Sequence, residues 1–411
     1  MRMIDPSKEI RYTYGDDLRG KKILMIVTGS VSAYKAPDLA RYLVRHGAEV
    51  YILPSKEALK YITLDSLSWS VGGRVIDRFG YEAGHIYLVK DMDLIVVSPA
   101  TANTIAKAAY GIADTDATLA IHSALGFGKK VLFIPVMHEN MLHNPAYKEV
   151  VDRLRSYGAI FMEPFIEEEK AKFPPPRWIF IEILRALYPK PLKDMRVLVT
   201  AGPTREYIDP IRMITNRSSG KMGVYIAEQA YILGGNVRLI HGPITLEPYP
   251  RIWRRRVETT EEMYEEVMNN LKWADIYISA AAPVDYKPNK TEERKIDSRL
   301  NRYLDLELIL TPKIVAEARR RRKDLFIISF KALYNVSREE MVEKAAEHSM
   351  RYGFNITVAN DVGDPSSGFE IDTNIVAIVD SEGKLIKWIS DSKWRIAREI
   401  LYIASEKLSL H

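Results

Sequence analysis

Short apolar runs separated by helix-length segments recur along the whole chain, and that alternation admits few folds. In the first half the runs are Ile23–Thr28, Glu49–Leu53, Leu94–Ser98, Val131–Pro135 and Ile160–Met162. In the second they are Val197–Thr200, Val237–His241, Ile276–Ser279, Leu325–Ser329, Ile356–Ala359 and Ile375–Val379. Runs of strand length with helical segments between them are the pattern of a parallel sheet. At 411 residues the chain exceeds the size at which one core stops growing. Pro189-Lys190-Pro191-Leu192 lies between the two series and favours an extended connection. The expectation is an α/β protein of two doubly wound, mostly parallel-sheet domains, 1–189 and 190–411.

Composition removes several function classes. The chain has no cysteine, which excludes disulfides, thiolate metal sites and a cysteine nucleophile. No run approaches 18 uninterrupted apolar residues, and the charged start, MRMIDPSKEIRYTYGDDLRGKK, lacks the apolar centre of a signal peptide. A cytoplasmic protein is expected. Abundant Lys and Glu without Cys hint at a thermophilic source. The net charge of +5 suits anionic small molecules. Two basic runs, Arg251–Arg256 and Arg319–Lys323, are short and have little aromatic interleaving, so they read as solvated surface and not as a nucleic-acid footprint.

Three loops stand at predicted strand ends. The longest, Thr200–Gly223, reads TAGPTREYIDPIRMITNRSSGKMG, as strand, loop and then a helix beginning near Lys221. A Gly-, Ser-, Thr- and Arg-rich loop at the carboxyl end of a strand is where open α/β sheets bind anions. Helix-start N–H groups with Arg205, Arg212, Arg217 and Lys221 suit phosphate or carboxylate. In the first half Thr28-Gly29-Ser30-Val31-Ser32 and Ser98-Pro99-Ala100-Thr101-Ala102-Asn103 offer hydroxyl and N–H donors at one sheet edge. Such hydroxyls also serve as ordinary helix caps, but two loops on one edge suggest a nucleotide-like cofactor.

TAGPTREYIDPIR…NRSSGKMG resembles the signature of the phosphopantothenate–cysteine ligase family, with Pro203 where many relatives have glycine. Further matches are AAPVDYKP at Ala281–Pro288, Lys295-Ile296, TPKIV at Thr311–Val315, SFKA at Ser329–Ala332 and Asn360-Asp361-Val362. Asp297 and Ser298 depart from the family, as does the region His348–Gly353, where relatives carry paired lysines. The resemblance implies CTP as co-substrate, an acyl-cytidylate intermediate, and Mg2+ held mainly by the nucleotide phosphates. It implies that Asn216 converts the intermediate to product, its amide donating to the developing oxyanion. Lys295 is implied as a partner of the phosphates or of departing CMP. Substrate and nucleotide contacts are implied at Arg212, Ser218, Ser219 and Gly220, then at Ala281, Ala282 and Asp285. Others follow at Pro312, Lys313, Ile314, Val315 and Phe330.

TGSVSAYKAPDLARYL and PATANTIAKAAYGIADT are similar to the first loop and the PASANT region of the flavin-containing cysteine decarboxylases, in particular phosphopantothenoylcysteine decarboxylases. That implies a flavodoxin-like flavoprotein domain ahead of a Rossmann-like ligase domain. FMN contacts are implied at Gly29, Ser30, Ser55 and Ser98, and at Thr101, Asn103 and Met137. His85 lies in the family's catalytic Gly-His-Ile. His138 stands in PVMHENM where relatives place the asparagine that binds the substrate carboxylate. The flap falls at Glu167–Arg177; its cysteine is missing, and Lys172 falls near that position as the implied proton donor, with Lys170 its rival.

Together the resemblances cover residues 20–390 and imply two successive steps of coenzyme A biosynthesis. Phosphopantothenate and cysteine are condensed at the expense of CTP. FMN-dependent decarboxylation of phosphopantothenoylcysteine, by oxidation and return of the hydride, then yields phosphopantetheine. They imply a homo-oligomer with trimeric contacts in the first domain and dimeric contacts in the second, such as a dodecamer. A flavin prenyltransferase-like protein shares the first half's loops but has nothing like the second. A regulatory or RNA-binding descendant of the fold rests on the arginine runs and the missing flap cysteine.

Overall fold

The apolar runs become strands because they are buried on both faces, which removes the alternation a half-exposed strand would show. In the computed structural model the described residues are 7–80, 83–299, 303–363, 368 and 371–409. The chain folds as two units, Met1–Tyr188 and Pro189–His411.

In the first unit β1 (Lys22–Val27), β2 (Glu49–Pro54), β3 (Leu94–Ala100), β4 (Val131–Pro135) and, beyond a short β5 (Met137–His138), β6 (Ile160–Phe161) make the main sheet. Its order is β2-β1-β3-β4-β6, every pair parallel, with Ile23 opposite both Val50 and Leu94. Strand order therefore reverses between β1 and β3. The covering helices start on side-chain caps: Thr101 accepts from Thr104 N, Thr115 from Thr118 N, and Asn144 precedes a helix with Pro145 in its first turn. A core runs from Leu24 and Ile26 through Val97 to Phe133, whose ring stacks on Phe161 at 4.9 Å.

A second, antiparallel sheet of the same unit joins β5, β8 (Lys170–Lys172) and β7 (Phe165–Glu167), in that order. The turn between β7 and β8 is Glu168-Glu169, with φ of 51° and 60°. Two left-handed residues in succession are the hairpin geometry that Asn-Gly ordinarily occupies, so two glutamates hold this turn under backbone strain.

The second unit carries an eight-stranded sheet. Its strands are β9 (Arg196–Ala201), β12 (Asn236–His241), β13 (Trp253–Arg256), β14 (Ile276–Ser279), β17 (Phe326–Leu333), β18 (Ile356–Asp361), β19 (Thr373–Asp380) and β20 (Leu385–Ser392). The order β13-β12-β9-β14-β17-β18-β19-β20 is parallel up to β18 and antiparallel beyond it. Order reverses between β9 and β14. Two ribbons lie outside the sheet, β10 (Arg205–Tyr207) with β11 (Met213–Thr215), and β15 (Tyr286–Pro288) with β16 (Leu308–Leu310).

Two expectations need correction. The Thr200–Gly223 segment is not a plain loop, because β10 and β11 form an antiparallel hairpin inside it. Buried Asp209 holds its tip, accepting from Ile211 N at 2.8 Å, Arg212 N at 2.7 Å and Ile296 N at 3.1 Å. The arginines of the Arg251–Arg256 run are exposed as expected, but Ile252 is buried and Trp253–Arg256 is an edge strand. A row of charged side chains discourages pairing with another sheet.

Candidate functional site

In the second unit the loops after β9 and β14, the segment Thr311–Val315 and Ser329–Ala332 of β17 line a cleft of ≈ 560 Å³. The carboxyl ends of parallel strands beside a reversal of strand order are where such sheets bind ligands. Pro203, after β9, bridges to Ala282, after β14, and Ala282 N donates to Gly202 O at 2.9 Å. Thr311 N donates to Asp285 O at 3.0 Å and its hydroxyl to Val284 O at 2.6 Å, which ties a third loop to the second. The helix Lys221–Ile232 starts behind Gly220, whose φ is 76°. A Cβ there would lie 2.3 Å from the Ile244 side chain, and one at Gly223 would lie 2.5 Å from Ala201 Cβ. Glycine is required at both, at Gly220 for a left-handed cap and at Gly223 for close packing of helix on strand.

Polar groups of the cleft are held in place. Asn216 Nδ2 donates to the carbonyls of Ala282 at 3.1 Å and Pro283 at 3.0 Å. Lys313 Nζ lies 3.4 Å from Asp285 Oδ1, and Lys221 Nζ lies 2.6 Å from Asp372 Oδ1. His348 Nε2 lies 3.2 Å from Ser329 Oγ. Burial first, then Lys331, Lys313 and Arg351, push the His348 pKa down to about 4, so its imidazole is neutral at ordinary pH.

In the first unit the loops after β1 and β3 are locked together. Thr28 Oγ1 donates to Pro99 O at 2.7 Å and accepts from Thr101 N at 3.2 Å. Ser30 Oγ accepts from Ser32 N, and Ser55, just after β2, accepts from Ala58 N at 3.2 Å. Ser98 Oγ is buried without a hydrogen-bond partner among the described residues, at the strand end that these loops surround. Met137 and His138 follow β4 at the same edge and pair with Ala171 and Lys170.

The family described as Flavoprotein matches residues 11–187, and the one described as DNA/pantothenate metabolism flavoprotein C-terminal domain matches residues 192–407. A coenzyme A biosynthesis bifunctional protein CoaBC from Thermococcus kodakarensis is 39% identical over 364 residues, with 87% of this chain and 89% of that protein covered. Its counterpart from Methanocaldococcus jannaschii is 37% identical, with 88% of each covered. This chain belongs to the CoaBC family. It is an enzyme of coenzyme A biosynthesis with decarboxylase and ligase activities. A solved C-terminal domain of a CoaBC protein aligns at 33% identity, covering 54% of this chain and 100% of that one, with a TM-score of 0.45. Because the CoaBC match spans both halves, the prenyltransferase-like alternative, which has no such second half, falls away.

Of the substrate and nucleotide contacts expected in this CoaBC chain, all but Arg212 line the cleft, and Asn216 lines it too. Arg212 instead binds Asp209 and donates to Ile296 O at 3.2 Å. Burial alone would raise the Asp209 pKa, but the N–H groups of Arg212, Ile211 and Ile296, with the Arg212 guanidinium, hold it at about 2. Arg205 faces Glu258 at 3.5 Å, so of the four loop cations only Arg217 and Lys221 line the cleft. Lys295 is exposed and is not among the lining residues. Asn216 differs from expectation as well. Both N–H bonds of its amide go to carbonyls, so in this conformation it braces the loop and has no donor to spare for an oxyanion.

In the flavoprotein unit of this family member His85 lies on the first turn of the helix Gly84–Asp91, not directly before a strand, with its ring edge-on to Phe79 at 5.8 Å. Asn103 is exposed on the helix that Thr101 caps. Lys172 is the plainest correction. It is implied as a proton donor, but Glu168 at 2.8 Å and Glu167 at 3.0 Å raise its pKa and so oppose loss of its proton near neutral pH. Lys393, which lines the cleft, escaped sequence reasoning because its helix carries no motif, and His348, which lines it too, was noted only as the start of a region that departs from the family.

Proposed function

We propose that residues 190–411 form the ligase domain, joining phosphopantothenate to cysteine at the expense of CTP, and that residues 1–189 form the FMN-dependent decarboxylase domain. The observation that carries this is the cleft between β9 and β14, where separate sequence motifs converge on one set of braced loops.

Amide formation requires the carboxylate to become an acyl donor. Its oxygen attacks the α-phosphorus of CTP, pyrophosphate leaves, and the acyl-cytidylate forms. The cysteine amine then attacks the acyl carbon, CMP departs with the bonding pair, and the amine loses a proton. Ser218, Ser219 and Gly220 precede a helix start and present hydroxyl and N–H donors to phosphate oxygens. Lys313 and Lys331 supply positive charge where negative charge builds on the leaving group. Mg2+ would be carried in by the nucleotide phosphates, whose negative charge it shields.

The first unit fits FMN: locked donor loops surround the unsatisfied Ser98 hydroxyl at the reversal of strand order. When bound, FMN supplies the hydride acceptor and donor that decarboxylation of a thiol-bearing substrate needs. Gly29, Ser30, Ser55, Thr101 and Asn103 hold it, and Met137 packs at the same edge. His138 binds the substrate carboxylate, His85 moves a proton, and the β7–β8 flap carries Lys172 over the site. A homo-oligomer in the cytoplasm completes the proposal; among the described residues no helix is long and apolar enough to cross a membrane.

Purified protein is expected to show a flavin absorbance band and to release pyrophosphate from CTP only when phosphopantothenate and cysteine are both present. A colourless protein that leaves CTP intact under those conditions overturns the proposal.

A further inference from the structure

The loop that carries Asn216 and the loop that carries Asp285 are tied at the cleft and again behind it. At the cleft the tie is the Asn216 amide, which spends both N–H bonds on the carbonyls of Ala282 and Pro283. Behind it the tie runs through Thr204, which is fully buried and is not among the residues that line the cleft. Thr204 Oγ1 accepts from Val284 N at 3.0 Å, and its carbonyl accepts from the Thr215 hydroxyl at 2.7 Å. A single residue thus holds the neighbour of Asn216 and the neighbour of Asp285.

Another bond fixes Thr204 from the far side. Its hydroxyl lies 2.7 Å from that of Thr260, also fully buried, in the first turn of the helix Thr260–Asn270. Thr260 N in turn donates to Glu206 Oε1 at 2.8 Å, and Glu206 stands on β10, two residues beyond Thr204. A pair of neutral hydroxyls adds little net stability, and an apolar pair of the same shape would fill the space as well. What the pair supplies is direction, because a hydrogen bond holds only over a narrow range of distance and angle. Turning the Asn216 amide toward a developing oxyanion opens the tie at the cleft. The Thr204 bonds do not involve that amide, so they keep Thr215 and Val284 in place.

We propose that Thr204 is a positioning residue for amide formation, holding the Asn216 and Asp285 loops in register while the Asn216 amide changes partner. The proposal rests on the cleft being the site of that step. Thr204 belongs to the loop motif, but the resemblance implies no substrate contact for it.

The test is rapid quench of the ligase reaction of the full chain, beside calorimetric binding of CTP with Mg2+. Thr204→Val keeps the shape and removes the hydroxyl. It is expected to slow conversion of acyl-cytidylate to amide by about tenfold to a hundredfold, the scale of a small misplacement of reacting groups. Intermediate accumulates, CTP affinity changes by less than about twofold, and carbon dioxide release in the first unit is unchanged. Thr204→Ser recovers most of the rate. Thr260→Val leaves the Val284 and Thr215 bonds intact and costs less. Added to Thr204→Val it costs nothing further, as for two groups acting through one bond. Wild-type amide formation by Thr204→Val, or a serine variant no better than the valine one, overturns the proposal. So does a loss of CTP affinity that matches or exceeds the loss of rate, the mark of a loosened domain. Should Thr204→Val not fold, Thr260→Val decides, and wild-type amide formation there refutes the proposal. A wild-type protein that makes neither acyl-cytidylate nor amide overturns the ligase reading itself, and this proposal with it.

Discussion

Both parallel sheets reverse strand order once, yet the sites at the two reversals are built differently. Around β9 and β14 the loops brace one another: Ala282 N on Gly202 O, Asn216 on the carbonyls of Ala282 and Pro283, Thr311 on Val284 and Asp285. Around β1 and β3 only Thr28 joins the two loops by hydrogen bonds among the described residues. No hydrogen bond among the described residues ties His85, His138 or Lys172 to them; Phe79, Lys170 and two glutamates are their partners. The difference follows the chemistry proposed for each. An acyl transfer between charged substrates depends on polar groups fixed before reaction, so the protein invests in interlocked loops. Where a cofactor carries the difficult step, the protein needs donors for the cofactor and a few mobile side chains.

The comparison would break most visibly at His85. His85→Asn is expected to abolish carbon dioxide release, a loss of at least about a hundredfold for a proton-transfer group. Flavin content and CTP-dependent pyrophosphate release should not change. Undiminished decarboxylation in that variant removes His85 from the site. Asn216→Asp is the matching test in the ligase domain. A carboxylate cannot donate to the carbonyls of Ala282 and Pro283 and would repel them, so the loop loses its brace as activated substrate turns over. Acyl-cytidylate should accumulate and amide formation fall by about a hundredfold, with decarboxylation untouched. Rapid quench of the reaction reads both quantities; normal turnover without intermediate means Asn216 is an ordinary loop residue.

What was legible in the sequence follows from the same physics. Every predicted strand forms, because double-sided burial writes a continuous apolar run into the chain. β13 and β20 carry no such run, β13 being four exposed edge residues and β20 lying at the far edge, mostly half-exposed. The β10–β11 hairpin depends on Asp209 bonding Ile296 far along the chain, which no local pattern reveals. The Arg319–Lys323 run reads as surface, yet Arg319 and Arg322 also donate to the carbonyls of Lys323 and Leu271 at 2.7 Å, closing a helix end. Site residues that sit on loops after strands were legible because topology alone brings such loops to one edge. His348 and Lys393 reach the cleft only through helix packing.

The flap sharpens the contrast from the decarboxylase side. Glu168 and then Glu167 raise the Lys172 pKa, which keeps the side chain protonated to higher pH and makes it a weaker acid. If Lys172 donates the proton, Lys172→Met should slow phosphopantetheine release by about tenfold and leave an oxidised enethiol product with reduced flavin. Replacing both glutamates by glutamine should lower the Lys172 pKa, so the alkaline limb of the rate profile moves to lower pH. Product yields like wild type in Lys172→Met, Lys170→Met and the double variant sink the donor role, and His138 or water takes it over.

The smallest expected effect belongs to the cleft. The His348 pKa is about 4 in the fold, against an ordinary 6.5, so the folded state prefers the neutral ring while the unfolded chain takes up the proton first. Its contribution to stability is therefore present above pH 6.5 and is lost as pH falls through about 4. His348→Gln keeps a side chain that can meet Ser329 Oγ but cannot be protonated. Between pH 6.5 and 4 the melting temperature of the wild-type C-terminal unit should fall by about 2–4 °C more than that of the variant, a change on the order of 1 kcal/mol for a unit of this size. Other carboxylates titrate over the same range in both proteins and cancel in the difference. Above pH 7 the two curves should run parallel. If they run parallel throughout, His348 is as hydrated in the fold as in the unfolded chain, and the cleft is wetter at that wall than its packing against Tyr352 and Phe354 implies.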